Sequence, residues 1–516
     1  MAKKNKELSN IELQSLLSNQ IQNALGYLGG ELSDSRTKSL EYYLGDRLGT
    51  EIDGRSQVVS TDVADTIESL LPNLLRVFTA SDKVVSCEPM TAEDIPMADQ
   101  ATAYLNHVFY KENDGFQLLY NFFKDALIEK NGFLKIYWDD SEKVDYETYE
   151  NLSIVEKEAL QDTKDEIETV EEEVFEDESA KEEFEKVLEQ YKLQGIDVSQ
   201  VQVPNFNLYN CKIKRITKTG RVKVESIPPE EFLIDRGAKT IEDADFISHK
   251  VLMTRSDLVA MGYSQDEVDE LPKSDLDIYN NEETVRLTDV DNYKISSATD
   301  TSTEKVLVYE SYVKYDYDQD GIAELRKIVS AGTDGANILS NMPCDSVPFV
   351  TITPIPMPHR FYGRSISELV EDVQLMKSTV MRQLLDNMYL TNNNRVAVMD
   401  GMVNMDDLLT TRPGGIVRTK QPPNQVMQPL QAQPISQQAF PLLNYLDSVR
   451  EARTGVSKEA QGLSPDTLNA KTATGVNALM QQTQMRSELI ARVFAETGVK
   501  TLFKKIFELM VKYQDK

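Results

Sequence analysis

Cysteine is scarce in this 516-residue chain, and so is histidine. Cys87, Cys211 and Cys344 lie far apart with no CxxC pair, which argues against a disulfide framework or a local zinc site and predicts folding in a reducing compartment. His107, His249 and His359 are equally dispersed, so no local spacing sets a histidine beside a carboxylate or thiol for acid–base or metal chemistry. GxxxxGK[ST], GxGxxG after a strand, HExxH and GxSxG are all missing, and no enzymatic activity is expected. No stretch approaches the ~20 apolar residues of a membrane span, and the start MAKKNKELSNIELQSLL lacks the apolar core of a signal peptide. A soluble intracellular product with no membrane partner is therefore expected. Cations are short too: 55 Lys and Arg stand against 85 Asp and Glu, a formal charge of −30. Phosphate contacts need Lys and Arg, so this balance argues against a protein that grips nucleic acid. It leaves open one that lets DNA pass without sticking.

What is present is ample apolar material. Hydrophobic residues make up 40% of a chain long enough for about three domains or one layered architecture. Residues 8–50 read as amphipathic helix and loop. GRSQVVSTDVADTIESLLPNLLRVF places Val63, Ile67, Leu70, Leu71, Leu74 and Leu75 on one helical face, with a kink expected at Pro72. A helical stretch over 96–130 runs into a strand at 132–138. Residues 145–189 are the compositional outlier, with 19 Asp and Glu against 4 Lys, half the acidic excess of the chain. Apolar residues recur there unevenly at helical spacing, which predicts a solvated helical hairpin inserted between strands. An acidic docking arm for a basic partner is the sharper alternative. From 205 to 356 the pattern is mainly strand and turn, with a helical interruption at 255–270.

YDYDQDGIAEL, residues 315–325, looks like the start of a calcium loop: Asp316, Asp318 and Asp320 alternate, Gly321 sits at position 6 and Glu324 at position 9. Position 12, which should supply a bidentate Glu, is Lys327, and the flanks alternate like strands. The stretch predicts a hairpin whose tip clusters carboxylates, with a divalent cation as the one ligand on offer and no other cofactor expected. That cluster keeps two further classes in play. One is an acidic cation-binding structural or adhesion module. The other is a metal-dependent phosphodiesterase using the three Asp.

After Gly363 the pattern changes. Ser365 and Glu368 predict a capping box, and a 3–4 apolar spacing from Ile366 to Met388 predicts a helix about 40 Å long. Its stripe is narrow, which suits a rod packed beside identical rods. A strand-and-loop segment over 395–434 follows, then a helix over 437–454 stopped by Gly455. The next 20 residues have no usable period, and a helix over 474–513 closes the chain with a bend expected at Gly498. The class is α+β.

This ordered series resembles the portal (head-to-tail connector) proteins of short-tailed double-stranded DNA bacteriophages. YGRSISELVEDVQLMKSTVMRQLLDNMYLTNN, RPGGIVR, SVREARTGVSKEAQGL and KTATGVNALMQQTQMRSELIARVFAETGVK carry the similarity, with GRSQVVSTDVADTIESLLPNLLRVF and IPPEEFLIDRGAKTIEDADFISHK upstream. It covers about residues 40–513. The resemblance implies a wing region over 1–362, with an acidic helical insertion at 145–195 and a β-rich part at 205–356. It implies a first stem helix at 363–391, a clip at 392–435 carrying Arg412, Pro413, Gly414, Gly415 and Arg418, and a second stem helix at 436–454. It implies a channel loop at 455–475 in which Lys458, Lys471, Gly462 and Gly475 face passing DNA. It implies that residues 476–516 form a long bent helix leading to a minimal or absent crown. The implied assembly is a homo-oligomer of twelve at one capsid vertex of the virion, built in the host cytoplasm. Its implied partners are double-stranded DNA, the packaging terminase, a tail adaptor, and the major capsid and scaffolding proteins.

Overall fold

The computed structural model describes residues 10–47, 49–81, 83–140, 142–161, 166–193, 206–218, 220–273, 281–287, 300–410, 412–430, 433–456 and 485–514. The chain forms two compact units, Met1–Ile136 with Val224–Lys505, and Tyr137–Lys223 with Ile506–Lys516.

In the larger unit, α1 (Asn10–Tyr27) buries Leu13, Leu17, Ile21 and Ala24, the one-sided spacing of an amphipathic helix. A π turn (Leu28–Leu32) leads into α2 (Ser33–Leu44), which ends at Gly45 in the left-handed conformation. In α3 (Asp62–Thr79) all six apolar residues assigned to one face are buried, and Pro72 lies inside the helix. The helical stretch expected over 96–130 is two helices, α4 (Ile95–His107) and α5 (Gly115–Glu129). A π turn (Val108–Glu112) and a positive φ at Asp114 separate them. The strand β1 (Gly132–Asp139) follows as expected.

Two sheets organise the core of this unit. A five-stranded antiparallel sheet runs β6 (Phe232–Ile234), β7 (Phe246–Thr254), β8 (Lys305–Tyr315), β9 (Glu324–Ala331) and β10 (Asn337–Pro343), with chain neighbours paired throughout. A three-stranded sheet places β1 between β5 (Arg221–Ile227) and β11 (Phe349–Ile352). Phe133 of β1 stacks on Phe232 of β6 with ring centroids 4.1 Å apart, and Phe361 stacks on both. The apolar face of α1 closes the same core. The helical interruption between β7 and β8 is α8 (Arg255–Ala260), α9 (Gln265–Asp269) and α10 (Asn281–Leu287), the first opened by a Thr254/Asp257 capping box.

The smaller unit corrects one expectation. Residues 145–189 are not a helical hairpin. They contribute two strands, β2 (Glu142–Leu152) and β3 (Glu166–Glu176), on either side of β4 (Asn207–Lys218), with α6 (Ile154–Gln161) and α7 (Glu178–Leu193) between strands. Acidic strands are tolerated because β4 sets cations opposite them. Lys214 meets Glu168 at 3.1 Å and Arg215 meets Glu147 at 3.0 Å, while Lys157 of α6 reaches Glu172. The acidic count concealed this pairing because the cations of β4 lie 46 and 68 residues downstream of Glu168 and Glu147.

Beyond β11, α11 (Ser367–Asn392) and α14 (Ser436–Thr454) flank a small domain of β12 (Arg395–Val398), α12 (Met405–Leu409), α13 (Pro423–Val426) and β13 (Met427–Leu430). Two last helices, α15 (485–494) and α16 (Lys500–Tyr513), are joined by a π turn at Ala495–Val499. The bend expected at Gly498 is this turn. A Cβ there would sit 2.1 Å from Ile352 Cγ2, so only glycine admits the close approach to β11.

Candidate functional site

The geometry that stands out is the α11/α14 pair. At ~1.5 Å per residue, the 26 residues of α11 span about 39 Å. The pair is antiparallel, fastened at three levels. Near the tip, Asn387 Nδ2 donates to Gln433 O at 2.9 Å and its Oδ1 accepts from Ile435 N at 3.1 Å. Midway, Lys377 Nζ bridges Asp447 at 2.8 Å and Asp62 at 2.7 Å. At the base, Arg453 Nη1 meets Asp372 at 2.5 Å.

Asp62 opens α3 and is fully buried, where it also takes Arg450 Nη1 at 2.9 Å and the Ser60 hydroxyl at 2.6 Å. Three helices therefore meet on one carboxylate. Burial works against the Lys377 ammonium, but its hydrogen bonds with Asp447 and Asp62 outweigh that and raise its pKa above the ordinary lysine value. Gln374 adds a neutral tie, accepting from Val63 N at 2.8 Å and donating to Tyr42 O at 2.9 Å. Ser365 Oγ accepts from Glu368 N at 3.1 Å, the forward half of the expected capping box.

Among the described residues, both helices of this pair expose large apolar side chains. Tyr389, Phe440 and Tyr445 are 67%, 57% and 65% exposed, and Met376, Met388 and Leu390 lie open beside them in the same helices.

Between the two helices, β12 and β13 pair antiparallel from Arg395↔Leu430 to Val398↔Met427. Arg412, Pro413, Gly414 and Gly415 make a tight turn: Gly415 N donates to Arg412 O at 2.9 Å, and Gly414 has φ 75°. The Arg418 guanidinium forks onto Asp407 at 2.6 and 3.0 Å, tying this loop to α12 while remaining largely exposed. Lys458, Gly462, Lys471 and Gly475 lie outside the described residues, as does most of the loop that holds them.

Together, the long paired helices, the small strand-and-loop tip and the bent terminal helix follow the portal order. A family profile described as phage SU10 portal protein matches residues 13–516. The chain belongs to that family. The match runs nearly end to end, so the mixed helix-and-sheet architecture is the portal fold and the role is that of a phage portal protein, in a family that is structural. The adhesion-module and phosphodiesterase alternatives give way to this assignment.

Within this portal protein the Asp-rich stretch is the expected hairpin, joining β8 to β9. One oxygen each from Asp316, Asp318 and Asp320 falls within 4.8 Å of the others. These carboxylates also cap the turn: Asp316 accepts from Asp320 N and Gly321 N, Asp318 from Asp320 N, and Asp320 from Ile322 N, at 2.7 to 3.2 Å. Gly321, at φ 95°, supplies the left-handed residue that the turn requires. Glu324 is not brought into the group; it begins β9 opposite Tyr315, with its carboxylate 3.7 Å from Arg326.

A second acidic group escaped sequence reasoning. Glu129, Glu230 and Glu282 are all buried and converge in the same way. Burial pushes Glu129 up to about 8, with Arg286 pulling the other way and Glu230 and Asp125 adding to the rise. These residues come from α5, the segment before β6, and α10, so no local spacing announces them.

Proposed function

We propose that copies of this portal protein close into a ring, twelve subunits by the pattern of such proteins, at one vertex of the virion. Double-stranded DNA passes through the ring during packaging and ejection. The packaging terminase and later the tail adaptor dock on it, and the major capsid and scaffolding proteins surround it as it assembles in the host cytoplasm. In this arrangement α11 and α14 are stem helices, the β12–β13 domain is the clip, and the loop holding Lys458, Gly462, Lys471 and Gly475 borders the channel. The Asp-rich hairpin is a turn in the outer wing.

The observation that carries this reading is the set of large apolar side chains that α11 and α14 expose among the described residues. Two long helices fastened to each other by buried charge, yet exposing Tyr389, Phe440 and Tyr445, are short of burial in a monomer and gain it beside an identical pair. Their test is Tyr445→Glu with Phe440→Glu. These exposed substitutions should leave the circular-dichroism spectrum unchanged and abolish rings in negative-stain images. Rings at wild-type abundance would remove the stem packing assigned to these helices.

A further inference from the structure

Arg36 and Arg286 are the only cations that form ion pairs with Glu129, Glu230 and Glu282 among the described residues, and Asp125 joins them as a fourth acid. Arg286 bonds Glu129 Oε1 at 2.7 Å and both oxygens of Glu230 at 3.0 Å, and lies 3.8 Å from Asp125. Arg36, wholly buried, gives two of its donors to the backbone oxygens of Glu129 and Pro229 and stands 3.8 Å from Glu282. Nearby, Lys124 is already matched by Glu68 at 3.0 Å. Four carboxyl groups thus gather round two guanidiniums in a place with little water to screen them, so any charge they carry must be met locally. Glu129 also closes α5, where the helix dipole disfavours an anion.

Geometry adds a separate signal. Glu129 and Glu282 are each only 2% exposed, yet Glu129 Oε2 and Glu282 Oε2 accept no hydrogen bond among the described residues. An unsatisfied buried carboxylate oxygen is costly, and here two belong to side chains that converge. One oxygen from each of Glu129, Glu230 and Glu282 lies within 4.8 Å of the other two. Ligand oxygens at 2.3–2.6 Å from a calcium ion lie at most about 5 Å apart, so the spacing suits calcium, whereas magnesium needs a tighter and more regular shell.

We propose that Glu129, Glu230 and Glu282 bind one divalent cation of calcium size, which satisfies the two unpartnered carboxyl oxygens and pins α10 to α5 and to the turn before β6. Arg286 then holds Glu129 and Glu230 from their other side, while Arg36 fixes the backbone of Glu129 and Pro229. The site is independent of ring formation and distinct from the Asp-rich hairpin.

The test uses full-length protein stripped with EDTA at neutral pH, with Tm followed by circular dichroism as calcium chloride or magnesium chloride is added. Calcium should raise Tm by several degrees and magnesium by less. The rise should persist in Asp318→Asn, which disables the hairpin, and vanish in Glu282→Gln. No response of the wild-type protein to calcium would overturn the proposal, as would a response that survives Glu282→Gln or disappears in Asp318→Asn. If Glu282→Gln does not fold, equilibrium dialysis of calcium against Asp318→Asn decides: one tightly held ion per chain supports the site, and none refutes it.

Discussion

Asp62 shows how much a single side chain can hold. Its carboxylate is 1% exposed and serves Lys377 and Arg450 on two other helices. Removing one partner of a buried ionic group leaves the others uncompensated, at a cost of about 3–5 kcal/mol. Asp62→Ala should therefore lower stability by roughly that amount in urea unfolding, and Asp62→Asn by less; a loss below about 1 kcal/mol would show that the node is dispensable. Glu310 makes a pH-dependent counterpart. Burial alone would raise its pKa, but Lys135 and Lys327, with Lys327 at 2.9 Å, hold it well below the ordinary carboxylate range. A folded pKa below the unfolded value of ~4.3 gives stability that is fully present above that pH and is lost as pH falls toward the folded value. The stability gap between wild type and Glu310→Gln should be widest at neutral pH and narrow steadily below about pH 4.5. A gap that stays constant down to pH 3 would contradict the assignment. Neither residue was legible in the sequence, because the cationic partners of Asp62 lie more than 300 residues away and those of Glu310 sit on other strands.

At the scale of elements, the legible parts were those with a strong local period or a special residue. The apolar stripe of α3, the hairpin around Gly321, the long α11 and the bend at Gly498 all follow from local pattern. The acidic segment did not, since its strands depend on cations supplied by β4. Gly498→Val would press a side chain into Ile352 and should cost about 1–3 kcal/mol by thermal denaturation; an unchanged Tm would mean the π turn can open. The pairing of β12 with β13 defines which part of the tip can be removed without loosening the stem. Replacing residues 401–421 with a short Gly/Ser turn keeps both strands and both long helices. Such particles should form rings but fail to package or to attach tails; normal packaging and infectivity would place docking elsewhere.

For the whole molecule, charge and shape act together. With −30 on each chain, a ring presents a largely acidic body to DNA that carries one negative charge per ~1.7 Å, so the duplex has little reason to adhere. Screening beyond about 10 Å at 0.1 M salt confines that effect to the channel wall. If the two lysines of the loop after α14 touch passing phosphates, Lys458→Glu with Lys471→Glu should leave assembly intact and reduce DNA retained per particle. Wild-type genome content would refute that role. All of this rests on closure of identical subunits, which native mass spectrometry reads directly. The account predicts a closed species at twelve times the 58.4 kDa chain mass, with an axial hole in images of the same sample. A stable 58.4 kDa monomer at micromolar concentration would contradict it.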